Sequence, residues 1–165
     1  MCETVGIYRE LVDVMAKFDL QQTVAVAAIN QLIGEWTQEI DANHGLSIAQ
    51  ANVLTTDCRC KLLDQRIEGR DNITKFYNET YAQAKAGEGV AVVRQLVTNL
   101  RVSFISEAEA KVGFKLLLFA KLGKVPFSDY CEPVEVADVS ADCRRDADGD
   151  WRISMLEGTR IFRRD

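Results

Sequence analysis

The chain has 165 residues, of which 47% are hydrophobic and 27% are charged, and its formal net charge is −5. This length and composition indicate a single folded, soluble domain and exclude a disordered chain. The negative charge argues against nucleic acid as a partner, because phosphate binding needs concentrated Lys and Arg side chains.

The N-terminal stretch "MCETVGIYRELVDVM" mixes charges among its apolar residues, which argues against a signal peptide. No apolar run in the chain reaches the length that spans a membrane, so we expect no membrane partner. The five cysteines are therefore expected to be reduced thiols in the cytoplasm. With one histidine and no phosphate-binding glycine loop, the chain is expected to hold neither a metal nor a cofactor.

Three stretches show apolar residues at helical spacing. The first, residues 3–18, is predicted to be a helix within an N-terminal extension. The second runs from about Thr23 to Asp41 and stops before Gly45. Its buried face is expected to carry Val24, Ala27, Leu32, Trp36 and Ile40. The third helix is predicted to be capped by Asp71 and ended by Gly87.

The remaining patterns are typical of strands. "LTTDCRCKLLDQRIEG" predicts strand, turn and strand, and four further strand patterns follow the third helix. Helices followed by a run of antiparallel strands predict an α+β fold, with a curved antiparallel or mixed sheet packed against the helices on one face. A cavity between such a sheet and its helices is the default place for a small ligand.

The stretch "DADGDWRISMLE" spaces acidic residues like a calcium loop, with Asp146, Asp148 and Asp150 at the first, third and fifth positions. Its sixth position is Trp151, where a calcium loop needs glycine to turn. The Asp-Gly pair is also a strong hairpin signal. We therefore predict a hairpin turn between the last two strands.

Side chains that could carry chemistry are few. Asp41 follows buried Ile40 at a helix end, where the macrodipole disfavours a carboxylate, so it is either a solvated acid or held by a pocket partner. His44 lies in a polar turn that we expect to aim it outward into solvent. The aromatic residues are open to two interpretations, cavity lining or plain core: Trp36, Tyr77, Tyr81, Phe127 and Tyr130.

Four motifs, "INQLIGEWTQEID", "EGRDNITKFY", "RQLVTNLRVSFIS" and "CRRDADGDWRIS", occur in an order and spacing that resemble the SnoaL-like group of the nuclear transport factor 2-like superfamily. The resemblance covers residues 23–165 and leaves residues 1–22 as the N-terminal helical extension. It implies a cone-shaped α+β fold whose curved sheet wraps a hydrophobic pocket. It also implies a homodimer formed through the sheet.

Scytalone dehydratase and hexachlorocyclohexane dehydrochlorinase belong to this superfamily, and the resemblance implies their Asp–His dyad. Asp41 stands at the place of the dyad acid, and Gln95 at the place of the dyad histidine. Glutamine has no accessible basic state, so the dyad mechanism does not carry over. Either Asp41 acts alone as a base with a pKa raised by burial, or Asp41 and Gln95 bind each other or a ligand without turnover.

The expected function is to bind a small, largely apolar or aromatic molecule in this pocket. If the protein is an enzyme, we expect a cofactor-independent dehydratase, isomerase or cyclase. The alternative is a non-catalytic ligand-binding or dimerisation module of the same fold. Besides Asp41 as the catalytic candidate, the expected pocket residues are Gln95, Trp36, Tyr77, Tyr81, Val97, Asn99, Phe119 and Tyr130.

The strand "VVRQLVTNLRVSFIS" presents a conflict of parity. Alternation places Leu100, Val102 and Phe104 on the core side and Gln95 on the wetter side, whereas the resemblance points Gln95 into the pocket. Two solutions remain open, a dimer interface over the outer face or a bulge near Thr98 and Asn99 that switches the parity. We expect the strand to be buried on both faces for much of its length.

Overall fold

The computed structural model describes residues 18–62 and 65–164, except for the side chain of Leu62. The helix predicted for residues 3–18 lies, apart from its last residue, outside the described part of the chain. No helix within the described part is long and apolar enough to cross a membrane.

The described residues form two helices and six strands. They are α1 (Leu20–Asn43), β1 (Leu54–Leu62), β2 (Gln65–Glu68), α2 (Arg70–Ala86), β3 (Val92–Ser106), β4 (Glu109–Lys121), β5 (Glu135–Arg145) and β6 (Trp151–Arg163). The strands form one sheet in the order β2-β1-β6-β5-β4-β3, in which only the β1–β6 pair is parallel among the described strands. The prediction of an α+β fold with a mixed sheet is confirmed.

Helix α1 begins with a capping box. The Asp19 carboxylate accepts a hydrogen bond from the Gln22 backbone N–H at 2.7 Å, and the Gln22 side chain accepts one from the Asp19 N–H at 3.1 Å. This cap starts the helix before the predicted Thr23. The buried face carries Ile29, Leu32, Ile33, Trp36 and Ile40.

The predicted buried face of α1 is wrong in its first part. Val24 and Ala27 are both exposed. At about 100° per residue they lie roughly 140° and 160° around the helix from Ile29, so they point away from the sheet. Apolar residues that precede the packed segment of a helix therefore do not identify its buried face.

Helix α2 begins earlier than its predicted cap. Its N-cap is Gly69 at φ +86° with no side-chain cap, and Asp71 lies within the first turn. The prediction that Asp71 caps the helix is wrong, because Gly69 adopts a positive φ that other residues avoid and starts the helix there. The prediction for the other end is confirmed, since Gly87 is the C-cap and its N–H donates to Gln83 O and Ala84 O.

Strand β3 changes parity at a bulge. Its register with β4 shifts between Thr98 and Arg101, and Asn99 there has φ +54°. Of the two solutions left open by the sequence, the structure therefore shows the bulge near Thr98 and Asn99. The bulge resolves the conflict of parity. Gln95, which precedes the bulge, and Val102, which follows it, both face the helices although they have opposite parity along the strand.

The prediction that β3 is buried on both faces is wrong for the single chain. Leu96 and Ile105, on the opposite face of the strand, are 51% and 60% exposed. The reason is topological: β3 is one of the two edge strands, and the two described helices lie against the other face of the sheet. The outer face of β3 is therefore open to solvent.

The acidic stretch after β5 is a hairpin turn, as predicted, because β5 and β6 pair antiparallel on either side of it. Its carboxylates bind Arg152, which is 5% exposed. The Arg152 guanidinium donates to Asp146 at 3.0 Å and to both carboxylate oxygens of Asp148 at 2.9 and 2.6 Å, while its Nε donates to Asn52 at 3.0 Å. The acids that resemble a calcium loop thus neutralise a buried cation.

Candidate functional site

A cavity of about 640 Å³ lies between the inner face of the sheet and the two helices. This volume falls within the range of small-molecule sites. Helices α1 and α2 supply one wall and strands β3 to β6 the other. Most of the lining is apolar, including Trp36, Ile40, Phe76, Val93, Leu116 and Leu118.

Polar side chains interrupt the apolar wall on the sheet side. Gln95, Leu118 and Glu135 are in register on β3, β4 and β5, so Gln95 and Glu135 are about 10 Å apart across two strand spacings. Arg160 of β6 donates from Nε to the Glu135 carboxylate at 2.8 Å. On the inner face of the sheet, Leu118 therefore lies between the Gln95 amide on one side and the Glu135–Arg160 ion pair on the other.

Asp41 lies in the last turn of α1 and ties this helix to β3. Its Oδ2 accepts a hydrogen bond from the Gln95 backbone N–H at 3.0 Å, and its backbone carbonyl accepts one from Arg94 at 3.3 Å. The contact between Asp41 and Gln95 thus uses the backbone of Gln95 and not its amide. Asp41 itself does not line the cavity.

Two buried oxygens meet at this junction without a hydrogen-bond donor among the described residues, Oδ1 of Asp41 and Oε1 of Gln95. Burial raises the pKa of Asp41 above its ordinary value, while the Gln95 N–H and the charges of Arg94 and His44 oppose that rise. A carboxylate with a raised pKa binds a proton more readily than a solvated one.

His44 caps the C-terminus of α1 in the left-handed conformation, with φ +55°. Its N–H donates to Ile40 O at 3.0 Å. Its ring lies 5.4 Å from the ring of Tyr81, at 37°, and lines the cavity. The prediction that His44 points outward is wrong, because the left-handed cap reverses the chain toward α2.

The turn that carries His44 is held by Glu39 and Gly45. The Glu39 carboxylate, which is buried, accepts hydrogen bonds from Ser47 N and from the Asn43 side chain, each at 2.7 Å. Gly45, at φ +77°, packs so closely on Tyr77 that an added Cβ would lie 2.5 Å from its ring. Burial raises the pKa of Tyr77, so its hydroxyl stays protonated at neutral pH.

The structure brings part of the predicted pocket together. Trp36, Tyr77, Tyr81 and Gln95 line the cavity. Val97 does not line it and packs instead against the hydrophobic core.

The other three predicted pocket residues lie elsewhere. Asn99 lies at the bulge and lines a separate depression on the outer face, with Arg101 and Lys111. Phe119 does not line the cavity, since it lies between the inward-facing Leu118 and Ala120 of β4. Tyr130, in the connection after β4, is 82% exposed.

Sequence reasoning missed the contributions of the later strands. Ala137, Val139, Gly158 and Arg160 line the cavity together with Glu135. Alternation marks each of them as inward-facing, but only the cross-strand register places them opposite α2.

No family model matches the chain, and no curated protein matches it. Solved structures do match. A putative scytalone dehydratase from Novosphingobium aromaticivorans is similar at a TM-score of 0.68 and 19% identity, over 88% of this chain and 89% of that one. A type 2 hexachlorocyclohexane dehydrochlorinase is similar at a TM-score of 0.68 and 18% identity, over 88% of this chain and 90% of that one. ActVI-ORFA from Streptomyces coelicolor is similar at a TM-score of 0.67 and 17% identity, over 82% of this chain and 97% of that one.

The chain has the nuclear transport factor 2-like fold. At these identities the likeness establishes the fold, and it confirms at that level the SnoaL-like resemblance of the motifs. Within this nuclear transport factor 2-like fold, Asp41 and Gln95 meet at the junction of α1 and β3, and His44 stands beside them on the cavity wall.

Proposed function

We propose that the cavity binds a small, largely apolar or aromatic molecule that carries a hydroxyl or carbonyl group. The observation that carries this proposal is the cavity itself, about 640 Å³ between the helices and the sheet, with an apolar wall and a few polar side chains. Trp36 and Phe76 line this space without filling it. Gln95 and Tyr81 offer the hydrogen bonds that would orient the polar group of the ligand.

The chemistry that we propose for the bound molecule is cofactor-independent acid–base catalysis of the dehydratase, isomerase or cyclase type. Two observations support it. Burial raises the pKa of Asp41 next to the cavity wall. Structures with this fold bear the names of a dehydratase and a dehydrochlorinase, whose names describe elimination reactions.

The binding proposal is tested with 1-anilinonaphthalene-8-sulfonate, an aromatic probe whose fluorescence rises in apolar sites. Gly158 lines the cavity and its nearest neighbour to an added Cβ is Val139 at 3.9 Å, so Gly158→Leu places a side chain in the cavity. We expect this variant to lose at least tenfold in probe affinity. Thermal unfolding checks that it is folded.

The matched control is Gly113→Leu on β4. Gly113 borders the depression on the outer face, and an added Cβ there meets no atom within 4 Å. We expect it to bind the probe as the wild type does. Equal binding by all three proteins, or no saturable binding by the wild type, would contradict the proposal of a ligand cavity.

A second candidate function, a dimerisation module, is favoured by an apolar row across the outer face of the sheet. Leu96, Leu117, Val136 and Phe162 are in register on β3, β4, β5 and β6. Leu96 is 51% and Phe162 is 68% exposed. We propose that a second copy of the chain covers this row.

Sedimentation velocity over a range of concentrations tests the dimer. Leu96→Lys places a charge in the apolar row and is expected to shift the protein from dimer to monomer. Ile105→Lys, near the far end of the same strand and outside the row, is the control and should leave the dimer intact. A wild-type protein that sediments as a monomer at every concentration would exclude this interface.

We also propose a reducing compartment such as the cytoplasm. The proposal is supported by Cys58 and Cys60, whose sulfurs lie 3.7 Å apart as free thiols, and by free Cys143.

A further inference from the structure

His44 is the one histidine of the chain, and its side chain stands on the cavity wall. A neutral imidazole is the side chain best suited to take a proton at physiological pH. The charged side chains of the wall are each held in an ion pair. Glu135 accepts a hydrogen bond from Arg160, and Lys61 pairs with Glu157 at 3.4 Å.

His44 is held in place by its backbone and by its neighbours. It adopts the left-handed conformation that is common at helix C-termini, with φ +55°. Two features restrain it, the backbone bond to Ile40 and the Glu39 contacts that fix the turn behind it. The ring is further oriented by Tyr81, with 5.4 Å between the two centroids.

We propose that His44 is the proton-accepting catalytic residue of the cavity. The inference rests on the proposed function, because it requires that a small molecule binds in this cavity. One imidazole nitrogen takes a proton from a ligand carbon next to a carbonyl group. The electron pair of the broken C–H bond forms the C=C bond of an enolate, whose negative charge rests on the carbonyl oxygen.

The proton held by His44 then completes one of two reactions. Returned to a different carbon of the enolate, it gives an isomer. Delivered to a hydroxyl on the neighbouring carbon, it lets that hydroxyl leave as water while the enolate electrons form the new C=C bond. Both routes restore neutral imidazole, so neither consumes a cofactor.

Asp41 is a positioning residue in this scheme. Its Oδ2 is engaged by the Gln95 N–H, and its carboxylate is not part of the cavity wall. It is electrostatically coupled to His44, because the charge of His44 lowers the pKa of Asp41.

The test uses 5-nitrobenzisoxazole, a flat aromatic probe whose isoxazole ring opens when a base removes the C–H proton of that ring. The electron pair of the broken C–H bond completes a nitrile group as the N–O bond breaks. The phenolate that results is coloured. We expect His44→Asn to lower the rate constant at least about 100-fold, the usual contribution of a general base. Asparagine tolerates the left-handed conformation, so the turn is preserved. Added imidazole should restore part of the lost rate.

Asp41→Asn separates this scheme from the alternative in which Asp41 is the base. With His44 as the base, Asp41→Asn keeps a measurable fraction of the rate and gains nothing from added imidazole. A rate that Asp41→Asn abolishes and His44→Asn leaves unchanged overturns the assignment. A wild-type rate no greater than that of free imidazole at the same concentration overturns it as well.

Probe binding distinguishes failure of this inference from failure of the proposed function. Anilinonaphthalenesulfonate binding that the wild type shows and Gly158→Leu loses supports the cavity, whatever the elimination rates of His44→Asn show. Absence of that binding removes the ligand site and the catalytic assignment together.

Discussion

At the scale of single residues, the site depends on positions where one atom more or less changes the geometry. Gly45 and His44 both adopt positive φ values, and together they reverse the chain after α1. Gly45 also allows the ring of Tyr77 to approach, since no side chain fits between them. The glycine of the turn "DANHG" predicted the end of the helix, but neither the left-handed His44 nor the approach of Tyr77 is visible in its composition.

We expect Gly45→Ala to lower the free energy of unfolding by at least about 2 kcal/mol, from left-handed strain and from overlap with Tyr77. The matched control is Gly34→Ala in α1, where an added Cβ meets no atom within 4 Å. Alanine in a helix is better than glycine, so this change should stabilise by about 0.5–1 kcal/mol. Urea unfolding measures both, and equal effects would refute the close packing on Tyr77.

A second residue-scale prediction concerns acid stability. The hydrogen bonds from Arg152 lower the pKa of Asp148 to about 2 from its ordinary value of 3.8. A carboxylate with a depressed folded-state pKa stabilises the fold above about pH 4, and this stabilisation is lost as the pH falls toward 2. Asp148→Asn should therefore be less stable than the wild type at pH 7, with a difference that shrinks as the pH falls from about 4 and vanishes below about pH 2.

Urea titrations at pH 7, 4 and 2.5 measure that difference. The control is Asp150→Asn, whose carboxylate lies 3.8 Å from the Arg152 guanidinium and is 74% exposed. At pH 7, Asp150→Asn should lower the free energy of unfolding by less than Asp148→Asn does. A difference for Asp148→Asn that does not depend on pH would show that the Arg152 contact is not the cause.

At the scale of elements, the ends of α1 decide where the site lies. The capping box at Asp19 begins the helix, and the left-handed His44 ends it next to β3 and α2. Between them one face packs on the sheet from Ile29 to Ile40. The register of the helix on the sheet thus brings Asp41 to Gln95.

The two helix N-termini provide a matched pair of substitutions. We expect Asp19→Ala to cost about 1 kcal/mol, because it removes the side-chain cap of α1. Asp71→Ala in α2 should cost about 0.3–0.5 kcal/mol, since Asp71 contributes only a favourable charge near the helix N-terminus. Thermal unfolding compares them, and equal costs would mean that Asp71 caps α2 after all.

At the scale of the whole molecule, one hydrophobic layer joins α1 to the inner face of the sheet. Ile29 and Ile33 of α1, Val112 of β4 and Ile153 of β6 are essentially inaccessible to solvent. This layer ends where the cavity begins, so the sheet carries packed core on one part of its inner face and an open site on another.

The contrast between the two faces of the sheet predicts the cost of truncation. Ile153→Ala should lower the free energy of unfolding by about 2–5 kcal/mol, because it empties space in the fully buried core. Ile105→Ala, on the exposed outer face, should change it by less than about 0.5 kcal/mol. Chemical denaturation of the two variants checks this, and similar losses would indicate that the outer face is buried in solution.

The sequence alone determined the fold class, the two described helices, all six strands and the final hairpin, because helical spacing, alternation and turn residues are local signals. It also placed Asp41 at the end of a buried helix. These features depend on residues that are neighbours along the chain.

Tertiary structure alone decided which side chains share the cavity. The left-handed cap turned His44 inward, and cross-strand register added Glu135 and Arg160 to the wall while alternation along β4 kept Phe119 away from it. These relations join residues far apart in sequence, and a shift of one residue in register would exchange the two faces of a strand. The residue types that could carry chemistry were visible in the sequence, but packing between α1, α2 and the sheet decided which of them share the cavity.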